Sequence, residues 1–213
     1  MNLDYETTSP EELEEAVRGL HSLDQNFRMS GEKYELHKRV LKPKLEIFEG
    51  AKIVEIGVGD GFHLSSYKNL DYHGFDADFK ILMEAMRNAR AFKIPSTRIQ
   101  CISPYEIPLE DKSVDRLFLI CALHEVDNID KILQEIDRLT KPSGIIAIIE
   151  RMCAIEEIPK HITNLKKEPA LLPLWFSNHG YATQDEMFRA FYWGESLTLP
   201  PQFNFYLFLA RKN

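Results

Sequence analysis

The sequence predicts an α/β protein in which a mostly parallel sheet lies between two layers of helices. Three observations predict it. Between residues 51 and 149, five short apolar runs of strand length alternate with stretches whose apolar residues recur at helical spacing. A glycine cluster, Gly57, Gly59 and Gly61, directly follows the first run. The connections are too long for hairpins, so successive strands run parallel and right-handed crossovers place helices on both faces.

The elements follow in order. Ser9-Pro10-Glu11-Glu12 combines a capping serine, a proline at the first helical position and a glutamate three after the cap, and Leu13, Ala16, Val17 and Leu20 share one face. A second helical segment spans about 30–48 and is bent or split at Pro43. Strands are expected at 51–56, 72–75, 98–102, 114–121 and 145–149. A short helix follows the glycine cluster. The stripe Ile81, Leu82, Ala85, Met86 and Ala89 makes another, and Ile129, Ile132, Leu133, Ile136 and Leu139 a third, stopped at Lys141-Pro142-Ser143-Gly144. Residues 151–181 hold Pro159, Pro169 and Pro173 and show no clear period.

The end of the chain reads differently. Thr183-Gln184-Asp185-Glu186 resembles a capping box opening a helix to about residue 191. Two strand-like runs, 193–199 and 203–210, are joined by Pro200-Pro201-Gln202, a connection short enough only for an antiparallel pair. The sheet therefore has seven strands, one of them antiparallel near an edge.

Composition narrows the function. At 213 residues the chain suits one domain with a full core, and 44% apolar with 28% charged residues is globular, not disordered. No apolar run reaches the ~18 residues of a membrane span, and the acidic start MNLDYETTSPEELEE lacks a signal-peptide pattern. Cys101, Cys121 and Cys153 fit neither a disulfide framework nor a zinc spacing, which predicts reduced thiols, a cytoplasmic protein and no metal. A net charge of −7 gives no electrostatic support to a nucleic-acid partner.

A glycine loop between a buried strand and a helix lets backbone amides approach a ligand closely. Dinucleotide folds require a third glycine where Phe62 stands here, which argues against NAD or FAD. The string Val54-Glu55-Ile56-Gly57-Val58-Gly59-Asp60-Gly61 instead resembles motif I of the class I S-adenosylmethionine-dependent methyltransferases. Asp76 closes the second strand, where that family's acidic residue accepts from both ribose hydroxyls; a carboxylate has the two acceptor oxygens a diol requires. The run 107–115 is similar to the approach to the family's fourth strand. Ala122-Leu123-His124-Glu125-Val126 is similar to the segment after that strand in enzymes of the ubiquinone/menaquinone-biosynthesis type. Lys141-Pro142-Ser143-Gly144 and the terminal run 205–212 match the family's later elements.

The resemblance implies a three-layer Rossmann-like domain over 51–213, with 1–50 as a helical cap over the cofactor site and 151–181 as a variable substrate-side segment. It implies S-adenosylmethionine as cofactor, held by Tyr34, Glu55, Gly57, Gly59, Gly61, Asp76, Ala77, Ser103, Pro104, Tyr105 and Cys121. Ser103 stands where the family often has an aspartate for the adenine amino group, so adenine would rest more on backbone groups and Tyr105. Glu55 reads equally as a carboxylate capping local backbone amides. Cys121 reads as a backbone or packing contact, and Tyr34 equally as ordinary helix packing.

His124 and Glu125 face the expected mouth as candidates for a general base, while alignment alone suffices for much of a methyl transfer, leaving His124 an equal structural reading. Trp175, Phe176 and His179 are the candidate substrate wall, with buried packing of a lid as the default for the aromatics. The expected function is methyl transfer to a small, partly hydrophobic acceptor by a monomer or homodimer. The alternative is a catalytically inactive cofactor-binding module acting through a protein partner.

Overall fold

The computed structural model describes residues 36–61, 63–152, 171–189 and 204–213. The expected first helix, Tyr34, Phe62, Cys153, the strand at 193–199 and residues 153–170 lie outside them.

Seven strands form one sheet: β1 (Lys52–Ile56), β2 (Asp71–Asp76), β3 (Ile99–Cys101), β4 (Val114–Ile120), β5 (Thr140–Met152), β6 (Tyr181–Arg189) and β7 (Asn204–Lys212). Their spatial order is β3-β2-β1-β4-β5-β7-β6. The first five pair in parallel, and β7 runs antiparallel to both β5 and β6. The seven-stranded, mostly parallel sheet with one antiparallel strand next to an edge is as expected.

Alternation along each strand sorts side chains to two faces. Ile53, Tyr72, Phe118, Ile145, Ala147 and Ile149 pack on one side with helix α1 (Phe79–Ala91), whose Leu82, Ala85 and Ala89 are buried. Val54, Phe75, Leu117, Leu119, Ile146, Ile148 and Phe208 pack on the other with helix α2 (Ile129–Leu139) and helix α3 (Leu171–Asn178). Both long helices start on carboxamide or carboxylate caps: Asp78 accepts from the amides of Lys80 and Ile81, and Asn128 from that of Lys131. Before β1, a π-helical turn Leu36–Leu41 gives way to an α-turn Lys42–Lys44. The change falls one residue before Pro43, whose missing N–H and ring cannot continue the regular ladder.

Two expectations are corrected. The segment opening at Thr183 is strand β6, not a helix: from Tyr181 to Arg189 every residue registers with β7, and that tertiary ladder outweighs a local capping pattern. β7 pairs with β5 and β6, while the strand at 193–199 and the Pro200-Pro201-Gln202 connection expected beside it lie outside the described residues. The aperiodic segment 151–181 holds a helix, α3, whose Leu172 and Phe176 enter the core.

Candidate functional site

Chain direction creates the site. The connection after β1 crosses to β2 over one face of the sheet, while that after β4 crosses to β5 through α2 over the other. β1 and β4 are neighbours, so a crevice opens outside their carboxyl ends, where open α/β sheets bind ligands.

The glycine loop enters this crevice from β1. The Gly57 amide donates to the Phe75 carbonyl at 2.8 Å, which turns the chain across the end of β2. Gly57 and Gly61 have φ of 83° and 68°. A Cβ on Gly57 would sit 2.3 Å from Ala122 Cβ, and one on Gly61 2.8 Å from Ala85 Cα. The loop is thus pressed between the turn after β4 and helix α1, and only glycine fits at both positions. Asp76, at the end of β2, accepts from the Gly59 amide at 2.8 Å and from the Asp78 amide at 2.9 Å, one on each carboxylate oxygen.

The other rim is built from the ends of β3 and β4. Ala77 is exposed and its carbonyl faces Cys101 Sγ at 3.7 Å. Ser103 is exposed; its Oγ accepts from the Tyr105 amide at 3.4 Å, beside half-buried Pro104. The Tyr105 hydroxyl accepts from the Asn128 amide at 3.0 Å, which fixes its ring against the start of α2. Cys121 adopts φ of 50° and donates its amide to the Ile149 carbonyl at 2.8 Å. The backbone of His124 and exposed Glu125 occupy the 3-10 turn Leu123–Glu125; the His124 side chain lies outside the described residues.

Sequence reading missed Glu150. It is buried at the carboxyl end of β5, and its Oε1 accepts from the Leu123 amide at 2.6 Å, anchoring the turn that carries His124 and Glu125. Its signal is a charge closing an otherwise apolar strand run. Glu55 is the other surprise. Its carboxylate is fully buried in the face that packs α1, where it accepts from His63 Nε2 at 2.6 Å and from the Tyr72 hydroxyl. It therefore neither lines the mouth nor caps only backbone amides. Burial and the negative charge of Glu55 hold the Tyr67 and Tyr72 phenols well above their ordinary range, so both stay protonated donors.

The expected substrate wall is not at the mouth. Phe176 is fully buried, its ring 5.0 Å from Tyr181 and 5.2 Å from Phe208, and packs the core. Trp175 stacks on exposed His179 at 3.7 Å. His179 precedes the start of β6, and the Gly180 carbonyl accepts from the amide of Asn213, the residue after β7. Because Tyr181 registers with Lys212, next to the Arg211–Ile145 pair, that end of β6 lies where the parallel strands begin, opposite the crevice.

Residues 54–148, from the glycine loop to β5, match the methyltransferase domain family. The matched stretch is a little under half of the chain. The chain is 25% identical over 134 residues to a malonyl-[acyl-carrier protein] O-methyltransferase of Halorhodospira halophila, covering 57% of the chain and 45% of the relative. The chain thus spans about half the length of the curated relative it matches. In fold it is similar to an S-adenosylmethionine-dependent methyltransferase of Aquifex aeolicus (TM-score 0.63, 18% identity, 97% of this chain and 100% of that one). It is also similar to phosphoethanolamine N-methyltransferase 2 of Haemonchus contortus (TM-score 0.57, 18% identity, 80% and 51%). Among the described residues no helix is long and apolar enough to cross a membrane.

The residues present fit the family's cofactor. Without side chains at Gly57 and Gly61, the loop closes against Ala122 and Ala85 and brings its backbone to the end of β1. Each Asp76 oxygen accepts one amide in the crevice rim, leaving a lone pair on each for a diol.

Proposed function

We propose that this protein is a methyltransferase that transfers a methyl group from S-adenosylmethionine to a nucleophilic atom of a small-molecule acceptor. The bond from the Gly59 amide to Asp76 carries the reading, because it joins the glycine loop and the ribose-type carboxylate into one surface at the crevice. Asp76 holds the ribose hydroxyls, the loop amides approach the cofactor chain, and Ala77, Ser103, Pro104 and the pinned Tyr105 border the adenine side. The cofactor supplies an activated sulfonium methyl. The protein then has mainly to align an acceptor and exclude water. Glu125, on the turn held by Glu150, is the candidate to take a proton from an acceptor O–H or N–H, with His124 beside it in sequence. The relatives named above act on quite different acceptors, and the chemistry shared with this chain is the donor side.

The test incubates the full chain with methyl-labelled S-adenosylmethionine and a panel of hydroxyl, carboxyl, amine and thiol acceptors. Acceptor-dependent S-adenosylhomocysteine formation, lost with Asp76→Ala at low cofactor, is the expected result. Cofactor binding without turnover on any acceptor class would favour the non-catalytic module instead.

A further inference from the structure

Two side chains flanking the glycine loop, Glu55 and His63, meet a third, His37, from the segment before β1. Glu55 lies two residues before Gly57 and His63 two after Gly61, so the 2.6 Å bond between their Oε2 and Nε2 atoms spans the base of the loop. Both side chains are 0% exposed. A carboxylate only accepts, so His63 donates from Nε2, and this bond selects its tautomer. The same Glu55 oxygen accepts from the Tyr72 hydroxyl on β2. His37, from the π-helical turn before β1, lies flat on the His63 ring, with centroids 3.8 Å apart and planes 5° from parallel. Its Nδ1 bonds the Tyr67 hydroxyl at 2.9 Å and its Nε2 is 3.5 Å from Glu55 Oε1.

A metal centre would use the same three residues, whose ligand-type atoms lie within 4.8 Å of one another. The ring geometry opposes it. A ligating lone pair lies in the plane of its imidazole, and two nearly parallel stacked planes share no point where one ion could sit. The arrangement suits proton-mediated bonding.

We propose that Glu55 and His63 form a clasp that pre-sets the cofactor loop, and that His37 couples the segment before β1 to this clasp. His63 is then a positioning residue for cofactor binding, resting on the reading of the loop as the S-adenosylmethionine site. A loop with several glycines has little stiffness of its own and loses much entropy when it is ordered on a ligand. A buried charge-assisted bond across its base supplies that order beforehand. Among the described residues, the titratable groups facing the clasp are His37, Tyr67 and Tyr72.

The test compares wild type, His63→Phe, His63→Gln and His37→Phe as full chains. His63→Phe keeps a ring for the stack and removes the donor; His63→Gln restores a donor at the Nε2 position. In the ligand-free protein, the amides of residues 57–61 should exchange about 10-fold faster in His63→Phe, with S-adenosylhomocysteine binding about 10-fold weaker, KM for the cofactor raised and kcat largely kept. His63→Gln should recover most of both effects, and His37→Phe should show a smaller, roughly 3-fold loss, since its clasp bond persists. A downfield imidazole N–H proton correlated with His63 Nε2 in wild type reads the clasp directly, should His63→Phe fail to fold. Unchanged exchange and affinity in His63→Phe, or absence of that proton, would overturn the proposal. So would one tightly bound zinc per chain that His63→Phe abolishes. Exchange and the proton are measured without cofactor, so failure of wild type to bind S-adenosylhomocysteine would count against the function and leave the clasp to be judged separately.

Discussion

Gly57 shows how strictly single residues are specified at this site. Its φ of 83° and the 2.3 Å approach of a hypothetical Cβ to Ala122 are two separate penalties. Gly57→Ala should cost about 1–3 kcal/mol from backbone strain, with further loss from the clash, and should weaken cofactor binding. Adding Ala122→Gly should restore the clash part and leave the backbone part, a split that thermal denaturation of the single and double variants would measure. The position of Asp76 at the end of β2 was legible in the sequence, because an apolar strand run stops there; its bond to the Gly59 amide was not. Glu55 was legible as a motif member but not in its orientation, since its partners His63 and Tyr72 are only brought to it by folding. Phe176 was read as a possible wall residue, yet a sequence does not say which aromatic of a hydrophobic run meets the core.

At the scale of elements, α2 ties the sheet together through two polar side chains in its last turns. Arg138 bonds Glu135 twice at 2.8 Å, Asp111 at 2.6 Å, and the carbonyls of Ile107 and Leu109 at 2.9 Å. It thereby holds the loop that enters β4. Arg138→Ala leaves the buried Glu135 without its cation and should cost about 2–3 kcal/mol in a urea titration.

Asp137 accepts from the Tyr181 hydroxyl at 2.8 Å and pairs with Lys212, linking α2 to β6 and β7. Burial pushes its carboxyl up, but the hydrogen bonds from Lys212 and Tyr181 outweigh burial, and the folded pKa falls below the ordinary 3.8. A depressed carboxyl contributes stability above its unfolded pKa and loses it as pH falls through the folded value. Wild type should therefore lose stability below about pH 4, and Asp137→Asn should show a flatter acid limb in melting experiments between pH 2 and 6. The misread β6 belongs to this scale too. Thr183 to Glu186 carries a local helix-start pattern, and only the edge offered by β7, arriving more than twenty residues later, decides for strand.

For the whole molecule, the apolar runs and their order were enough to place five parallel strands, because an all-buried run between two helical stripes has few other folded solutions. The family match over 54–148 agrees with that frame, and the sheet order puts the glycine loop, Asp76 and the turn after β4 around one crevice. The acceptor side was less legible. Trp175 and His179 turn out near the opposite end of the sheet, so proximity in sequence to the fifth strand was a poor guide to proximity in space.

The central claim is that the Gly59–Asp76 surface is the cofactor site. Calorimetric titration of the full chain with S-adenosylhomocysteine, repeated on Asp76→Ala with its fold checked by circular dichroism, tests it most directly. One site per chain, weakened at least about 10-fold by the substitution, is the predicted result. No binding to wild type, or equal binding by both proteins, would contradict it.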